Sequence, residues 1–190
     1  MNRGLRLLAF RMFVPHRGGA VLDVGCGTGI HLEMYQRYGC KLYGIDTSQS
    51  MLELAKARLG ESAELRLADA THMPYEAGFF DLVICMLALH EMDEGMRSKV
   101  VGEIKRVLKR DGRILFIDFH AGNPRPIKGW LSRLVILVSE VAAGRRHFRN
   151  YRNFMSIGGL PHLIEETTLS IEKEKIVGDH TLALYLLRAT

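Results

Sequence analysis

Three glycines at alternate positions, Gly25, Gly27 and Gly29, are the first residues whose spacing suggests a chemical role. They follow a short apolar run, residues 20–24, and precede a helix-compatible segment. This pattern predicts a buried parallel strand, a tight turn and the start of a helix. Glycine permits positive φ and lets the backbone approach a ligand closely. Seventeen residues after Gly29, a second apolar strand ends at Asp46, whose carboxylate can accept both hydroxyls of a ribose. The unit is therefore predicted to bind a nucleoside.

The spacing of the glycines distinguishes between two kinds of nucleoside ligand. A dinucleotide site needs G-x-G-x-x-G, with the pyrophosphate on the helix N-terminus. This loop has G-x-G-x-G, and Ile30 occupies the position of the third dinucleotide glycine. Asp23, two residues before Gly25, would repel a pyrophosphate and attract an ammonium group. A nicotinamide-dependent oxidoreductase is therefore a disfavoured alternative.

A third strand, predicted over residues 64–70, contributes another acid to the same edge of the sheet. The carboxyl ends of parallel strands face the ligand crevice, so Asp69 can accept a hydrogen bond from an exocyclic amine such as N6 of adenine. The backbone N–H of Ala70 could reach a ring nitrogen. An isolated Asp at a strand end is more often a cap or a turn residue. The two earlier strand-end acids favour the adenine role here.

Three segments resemble a known family. Residues 20–29 resemble motif I of the class I S-adenosylmethionine-dependent methyltransferases. Residues 79–90 resemble the F-D-L-V-x-x-x-x-x-L-H strand of their ubiquinone/menaquinone-biosynthesis-like branch (methyltransferase type 11). Residues 108–115 resemble the L-K-P-G-G-x-L-L segment of that branch, with Arg110-Asp111 in place of Pro-Gly. The resemblance covers residues 20–119 with specific motifs and the remainder by topology only.

The resemblance implies S-adenosyl-L-methionine as the cofactor and S-adenosyl-L-homocysteine as its product. Asp46 takes the place of the ribose-binding acid, and Asp69 with Ala70 that of the adenine-binding pair. The residues implied to bind the cofactor are Asp23, Gly25, Cys26, Gly27, Thr28, Gly29, Asp46, Thr47, Met51, Asp69, Ala70 and Leu87. We interpret the side chain of Cys26 as a packing group, because a small residue is needed within the loop.

Methyl transfer needs a base only where the acceptor must lose a proton. His90 and His120 follow predicted strands at their carboxyl ends and are candidate bases. His90 is the stronger candidate, because the loop after the fourth strand faces the methyl group in related folds. A histidine that lines the pocket without exchanging a proton is an equal alternative. Glu91 is a weaker candidate, His72 is expected to flank the adenine loop, and His31 is expected to be structural.

Strands alternate with helical patterns along the chain, which predicts an α/β fold with a doubly wound sheet. A hairpin signal at Gly178-Asp179 adds an antiparallel last strand. Together with the resemblance, this gives a Rossmann-like, seven-stranded, mostly parallel sheet in a three-layer αβα arrangement. We expect a single methyltransferase domain, 1–190, with an N-terminal helix (1–19), a cofactor-binding core (20–119), a substrate-side lid (120–166) and a C-terminal β-hairpin (167–190). Locally, we expect the helix after the glycine loop to reach about Tyr38 and a turn at Asp111-Gly112 to precede the fifth strand.

Positive charge is concentrated in two segments that also carry apolar residues. The net charge is +5; residues 1–20 hold four arginines and no acid, and residues 125–152 hold seven Lys/Arg and one acid, Glu140. With Trp130 and the apolar stretch 127–143, these segments favour an amphiphilic small-molecule acceptor, such as a polyprenyl quinone precursor or a lipid, at an anionic membrane. The apolar stretch could instead be a core helix or a dimer face, so both a monomer and a homodimer stay open.

Cysteine usage and the N-terminal segment indicate the compartment. Cys26, Cys40 and Cys85 have no metal-like spacing, which predicts a reducing compartment and no metal site. Arg6 and Arg11 interrupt the apolar N-terminal segment, so it does not match a signal peptide. We therefore expect a cytoplasmic protein.

Two further alternatives remain. The basic residues of 145–152 permit an RNA methyltransferase, but residues 87–90 are Leu-Ala-Leu-His rather than the N/D-P-P-Y/F of enzymes that methylate base amines. No nucleic-acid partner is therefore expected. A non-catalytic nucleoside-binding module is the other alternative, and intact motifs disfavour it.

Overall fold

The computed structural model describes residues 3–123 and 126–189. Its strands are β1 (Ala20–Val24), β2 (Lys41–Asp46), β3 (Ala63–Leu67), β4 (Phe80–Met86), β5 (Leu108–Phe119), β6 (Leu169–Val177) and β7 (Leu182–Ala189). Its helices are α1 (Arg3–Met12), α2 (Leu32–Gln36), α3 (Gln49–Leu59), α4 (Glu94–Val107), α5 (Lys128–Ala142), α6 (Arg145–Ser156) and α7 (Gly159–Glu165). Short 3₁₀ turns at Gly60–Ser62 and Leu89–Glu91 precede β3 and α4.

The strands form one sheet in the order β3-β2-β1-β4-β5-β7-β6. Strands β1 to β5 pair in parallel, and β7 is antiparallel to both β5 and β6. The predicted α/β class and the mostly parallel sheet of seven strands with an antiparallel last strand are confirmed. The strand order reverses between β1 and β4, and in open α/β sheets the ligand crevice lies at such a reversal.

The register of β1 brings the predicted ligand residues to one edge of the sheet. Val24, the last residue of β1, lies opposite Ile45 of β2 and Cys85 of β4. The loops after these three strands therefore leave the sheet side by side. They begin close to Gly25, Asp46 and Leu87, which are three of the residues that the resemblance singles out.

Apolar clusters cover both faces of the sheet. Leu22 and Ile104 of α4 belong to one cluster, and Val21 and Phe10 of α1 belong to the other. Successive strand residues point to opposite faces, so one strand supplies both clusters. The result is the predicted three-layer αβα arrangement.

The helix after the glycine loop is shorter than predicted. It ends at Gln36 instead of near Tyr38. The N–H groups of Tyr38 and Gly39 bond to carbonyls three residues earlier, which tightens the chain into a 3₁₀-like turn. Gly39 follows this turn with a φ of +69°, two residues before β2 begins.

The fifth strand begins earlier than predicted. Leu108 already pairs with Phe80, whereas Arg113 pairs with Leu82, so the register shifts between the two pairs. The predicted Asp111-Gly112 turn is therefore an irregularity inside β5. The third strand ends at Leu67, which leaves Asp69 and Ala70 in the loop after it.

Helices α5 to α7 lie between β5 and β6, in the segment predicted as a lid. Arg97 of α4 donates to Asn153 of α6 over 2.5 Å, and Asn150 Nδ2 donates to the carbonyl of Glu91 over 2.6 Å. These bonds hold α6 over the loop that follows β4. Helix α5 is the longest, with 15 residues, and no helix in the described ranges is long and apolar enough to cross a membrane.

Candidate functional site

The glycines of the loop between β1 and α2 have different structural roles. Gly25, Gly27 and Gly29 have φ values of +72°, +52° and +71°. A Cβ on Gly29 would lie 2.9 Å from Cδ1 of Leu59, whereas a Cβ on Gly27 would meet no described heavy atom within 4 Å. Gly29 therefore permits the loop to pack on α3. Gly27 is the glycine whose backbone is open to a ligand.

Asp46, the last residue of β2, faces this loop. Its Oδ2 accepts the N–H of Gly27 over 2.8 Å, and its Oδ1 accepts the N–H of Ser48 over 2.9 Å. These bonds fix the carboxylate in position. Each oxygen keeps a further lone pair for a donor such as a ribose hydroxyl.

A cavity of about 780 Å³, which we call the glycine-loop cavity, opens beside Asp46. Eight of the residues implied to bind the cofactor line it: Gly25, Gly27, Asp46, Thr47, Met51, Asp69, Ala70 and Leu87. Two helix caps position part of this lining, because Ser48 accepts the N–H of Met51 and Asp93 accepts the N–H of Met96. Further lining residues that the sequence did not single out include Ser48, Met92, Met96, Arg146 and His147.

The other four predicted residues, Asp23, Cys26, Thr28 and Gly29, lie outside this lining. The Sγ of Cys26 lies 2.8 Å from the place that a Cβ on Gly44 would take, so this thiol packs behind the loop. The carbonyl of Thr28 accepts a bond from Nε of Arg58 over 3.0 Å, which ties the loop to α3. Contacts between these four residues and a cofactor stay predictions.

Asp23 is buried on the face of β1 opposite to Val24. Its Oδ1 has no hydrogen-bond partner in the part of the chain that the structure describes. Burial raises the pKa of Asp23 to about 7; the positive charge of Arg6 opposes this shift, and the negative charge of Asp46 adds to it. An ammonium group of a ligand would stabilise the ionised carboxylate at this point.

Asp69 stays ionised in the lining of the glycine-loop cavity. Its Oδ1 accepts the N–H of Thr71 over 2.8 Å. Hydrogen bonds from the backbone and side chain of Thr71 lower the pKa of Asp69. The carboxylate can therefore accept a hydrogen bond from an amine at neutral pH.

Leu87 lies where two cavities meet. It is not a glycine, yet its φ is +54°, and its N–H donates to the carbonyl of Ile117 over 2.8 Å. Non-glycine residues in this region are uncommon and often mark functional sites. Leu87 lines the glycine-loop cavity and also a neighbouring cavity of about 660 Å³.

This second cavity, which we call the apolar cavity, has mostly apolar walls and one polar end. Its apolar walls include Leu5 and Leu8 of α1, Phe119, Ile136 of α5 and Leu182 of β7. Its polar end contains His90, Glu91, Ser139, Glu140 and His147. Glu91 and His147 also line the glycine-loop cavity, so the polar end is where the two cavities adjoin.

His90 is held at this polar end by Asp118. Its Nδ1 lies 2.8 Å from Oδ1 of Asp118, whose side chain is fully buried. The Asp118 carboxylate also accepts the N–H groups of Leu89, His90 and Phe119. With the Nδ1 proton directed at Asp118, the Nε2 lone pair of His90 is free for other chemistry.

The surroundings of His90 act on its pKa in two opposite directions. Burial acts against a charged imidazole, but the adjacent Asp118 carboxylate, helped by Glu140 and Glu91, raises the pKa of His90 overall. Burial also raises the pKa of Glu91.

Glu140 and His147 complete a group around His90, which we call the His90–Glu140–His147 cluster. The Oε2 of Glu140 lies 3.8 Å from Nε2 of His90 and 2.5 Å from Nε2 of His147. The rings of His90 and His147 are 5.6 Å apart, centroid to centroid. The cluster joins the loop after β4 to α5 and α6.

The sequence predicted His90 but missed its partners. Asp118 lies at the carboxyl end of β5, so the rule that selected Asp46 could have found it. Glu140 is the one acid in the basic and apolar stretch 125–152, and that isolation was a signal for burial. His147 carried no local signal, because only the packing of α6 brings it to the site.

The other candidate residues lie elsewhere. His120 lines neither of these two cavities, and burial, together with the charges of His180 and Arg133, lowers its pKa. His72 contacts Thr71 beside the loop of Asp69. His31 is 1% exposed, and burial lowers its pKa to about 3, in line with a structural role.

Comparison with protein families gives a match to the methyltransferase domain over residues 22–116. This range includes the glycine loop, Asp46, Asp69 and His90. It also includes the motifs on which the sequence resemblance rests, except for the first two residues of the segment 20–29.

Individual relatives have methyltransferase names. The chain is 34% identical over 119 residues to a phosphatidylethanolamine N-methyltransferase of Cereibacter sphaeroides, which covers 60% of this chain and 57% of that protein. It is 30% identical over 173 residues to a ubiquinone biosynthesis O-methyltransferase of Thiobacillus denitrificans, covering 89% of this chain and 72% of that one. The chain spans about half the length of several other curated relatives that it matches.

Among solved structures, the fold is similar to geranyl diphosphate C-methyltransferase from Streptomyces coelicolor A3(2), determined with Mg²⁺, geranyl diphosphate and S-adenosyl-L-homocysteine. The TM-score is 0.70 at 15% identity, and the match covers 98% of this chain and 79% of that one. At this identity the similarity is one of fold.

Proposed function

This chain belongs to the S-adenosylmethionine-dependent methyltransferase family, and on that premise we propose that it methylates an amphiphilic, largely apolar acceptor taken from an anionic membrane surface. The observation that carries the proposal is the dual role of α5. Its inner side lines the apolar cavity, and its outer side exposes large apolar residues next to the arginines of α6. Family membership removes the nicotinamide-dependent alternative.

The residues present fit S-adenosylmethionine. Asp46 offers acceptors for ribose hydroxyls, Asp69 offers one for an exocyclic amine, and the open side of Gly27 allows a close backbone approach. The unpaired Oδ1 of Asp23 suits the ammonium group of the methionine portion. When bound, the cofactor supplies an electrophilic methyl group on a sulfonium.

The contribution of the protein to the transfer is mainly positioning. Holding two reactants in line can lower a barrier by about 7–11 kcal/mol. Leu87, whose backbone is fixed in a left-handed conformation between the two cavities, limits how the acceptor and the methyl group face each other. The apolar walls also exclude water from the transfer.

We propose His90 as the base for an acceptor hydroxyl. Its Nδ1–H donates to Asp118, so Nε2 can take the proton of an acceptor at the polar end of the apolar cavity. Positioned general bases contribute about 10²–10⁴-fold to rate. His120, the weaker candidate, does not line the apolar cavity in which the acceptor would bind.

The shape and lining of the apolar cavity support the proposed acceptor class. A volume of about 660 Å³ with apolar walls suits a hydrophobic portion of an acceptor, and the polar end suits its nucleophilic group. Segment 120–166, which contains α5 to α7, would act as the lid over this acceptor.

The outer face of α5 supports delivery from a membrane. Large apolar residues between 40% and 77% exposed form this face: Ile127, Trp130, Leu131, Leu134, Val135, Leu137, Val138 and Val141. A patch of this kind marks an interaction site. The neighbouring α6 exposes Arg145, Arg146, Arg149 and Arg152, and the one nearby acid, Glu140, is buried. An apolar face beside exposed arginines complements an anionic lipid surface.

The cytoplasmic location expected from the sequence forms part of this proposal. All three cysteines are free thiols, which suits a reducing compartment.

Vesicle flotation tests the membrane proposal. The protein should float with vesicles containing phosphatidylglycerol and much less with pure phosphatidylcholine. The variant Leu131→Ser/Leu134→Ser removes side chains that are 58% and 57% exposed, and it should weaken partitioning at least about tenfold. Leu54→Ser/Leu67→Ser, at positions 55% and 58% exposed on α3 and β3, is the matched control and should bind like the wild type.

Three results would overturn the proposal. The first is equal binding by both double variants. The second is a wild-type protein that forms a dimer and does not bind vesicles, together with a Leu131→Ser/Leu134→Ser variant that is monomeric. The outer face of α5 would then be a subunit interface. The third is salt-dependent binding to RNA with none to vesicles.

A further inference from the structure

The His90–Glu140–His147 cluster has a composition and geometry beyond what a general base requires. One ligand atom from each residue can be chosen so that all three lie within 4.8 Å of one another. His90 and Glu140 are buried, and His147 is half-buried. Two imidazole nitrogens and one carboxylate oxygen form a donor set that holds divalent transition metals in proteins.

Glu140 supplies the second observation. Its Oε2 is buried and has no hydrogen-bond partner in residues 3–123 and 126–189, although two imidazole nitrogens lie within 3.8 Å of it. Both rings are close enough to this oxygen for an ion pair, but neither forms a hydrogen bond with it. A buried carboxylate oxygen without a donor is costly unless a cation compensates it.

Asp118 supplies the third observation. Histidines that bind metals usually donate their other ring N–H to a carboxylate, which fixes the tautomer and the direction of the ligating lone pair. Nδ1 of His90 has this contact with Asp118 at 2.8 Å. Asp118 is in turn fixed by three backbone N–H groups.

We propose that Nε2 of His90, Oε2 of Glu140 and Nε2 of His147 bind one divalent transition-metal ion of the Zn²⁺ type. The sequence analysis predicted no metal site from the spacing of the cysteines. The residues proposed here come from three separate elements and include no cysteine. Three protein ligands leave a coordination position open towards the apolar cavity, which His90, Glu140 and His147 all line.

Metal binding at the cluster would prevent the base role of His90, which is a role that rests on the proposed function. The lone pair that would accept a proton is the lone pair that would bind the ion. A Zn²⁺ ion at the cluster therefore prevents His90 from acting as a free base. In the protein with Zn²⁺ bound, removal of a proton from the acceptor would depend on the ion instead of on Nε2 of His90.

Metal stoichiometry tests the site without any acceptor. Tag-free protein, stripped with a chelator and dialysed against Zn²⁺, should retain about one ion per chain by elemental analysis. Glu140→Gln, which keeps the shape of the side chain, and His147→Ala should each weaken Zn²⁺ binding at least about tenfold. His162→Ala, which removes a histidine paired with Glu166 on the surface of α7, is the matched control and should keep the ion.

Co²⁺ gives a second readout, because its visible spectrum reports imidazole and carboxylate coordination. The stripped protein should acquire a Co²⁺ spectrum that Zn²⁺ displaces and that Glu140→Gln abolishes. The proposal would be overturned if the wild type retained no Zn²⁺. It would also be overturned if equal amounts of Zn²⁺ were retained by Glu140→Gln, His147→Ala and His162→Ala. Vesicle flotation is independent of the ion, so failure of the metal site and failure of the proposed function can be told apart.

Discussion

Nδ1 of His90 lies 2.8 Å from Oδ1 of Asp118, in a site where both side chains are buried. The same carboxylate accepts three backbone N–H groups from the segments that follow β4 and end β5. Asp118 therefore fixes the orientation of the imidazole and also joins two strand ends. The candidate base and the local fold depend on one side chain.

Asp118→Asn should lower the free energy of unfolding by about 2–4 kcal/mol, because an amide NH₂ replaces an oxygen that accepts N–H groups and leaves buried donors unpaired. Urea denaturation measures this change. Asp111→Asn, at an exposed position of the same strand, should change stability by less than about 0.5 kcal/mol. Equal stability of Asp118→Asn and the wild type would contradict the role of this carboxylate.

Gly27→Ala and Gly29→Ala should separate ligand contact from packing. At Gly27 a methyl group meets no described heavy atom within 4 Å, so the cost to stability is the strain of positive φ, about 1–2 kcal/mol. Binding of S-adenosylhomocysteine should fall at least about tenfold. At Gly29 a methyl group also meets Leu59 at 2.9 Å, so the loss of stability should be larger. Thermal unfolding and calorimetry on the folded proteins measure both effects. Stronger destabilisation by Gly27→Ala than by Gly29→Ala would count against this division.

His31 should make the protein sensitive to acid. Burial, and then the charge of Arg6, lowers its pKa from 6.5 to about 3, so between these pH values the unfolded chain binds a proton that the folded one does not. Stability is therefore unaffected by His31 above about pH 6.5 and falls as the pH drops towards 3, by about 2 kcal/mol at pH 5.

Urea denaturation of His31→Leu at pH 7.5 and pH 5 tests this expectation. The variant should lose about 2 kcal/mol less than the wild type between the two values. Tyr35→Phe alters a neighbouring ring, 5.5 Å from His31, without removing the histidine, so it should keep the wild-type pH dependence. Identical pH dependence in His31→Leu and the wild type would refute the assignment.

Charge reversal on α6 should weaken vesicle binding without affecting the cofactor. Arg145 and Arg149 are exposed and line neither of the two cavities, unlike Arg146. Arg145→Glu/Arg149→Glu should reduce binding to anionic vesicles by at least about tenfold, since each basic residue near the surface contributes about 1 kcal/mol. Arg37→Glu/Lys41→Glu carries the same charge change at exposed positions after α2 and at the start of β2, and it should bind normally. Loss of binding in both variants would indicate a non-specific effect of net charge.

The sequence predicts the parts of this protein that depend on local patterns. The alternation of apolar strands with helices was sufficient to predict a doubly wound sheet, and the acids at the strand ends identified Asp46 and Asp69. The seven strands and the role of Leu87 came from the family resemblance. The early start of β5 was missed, because the pairing of Leu108 with Phe80 is a tertiary contact that a local turn signal does not report. The partners of His90 were missed for the same reason.

Calorimetric titration of the purified protein with S-adenosylhomocysteine tests directly whether the glycine-loop cavity is the cofactor site. The wild type should bind, while Asp46→Ala should bind at least about 100-fold more weakly, because charge-assisted hydrogen bonds to two hydroxyls contribute about 1.5–3 kcal/mol each. Asp46→Asn, which keeps the shape, should also be weakened, and Glu53→Ala, which removes an exposed acid of α3, should bind like the wild type. Undiminished affinity in both Asp46 variants, or no binding by the wild type, would contradict the assignment of the glycine-loop cavity as the cofactor site.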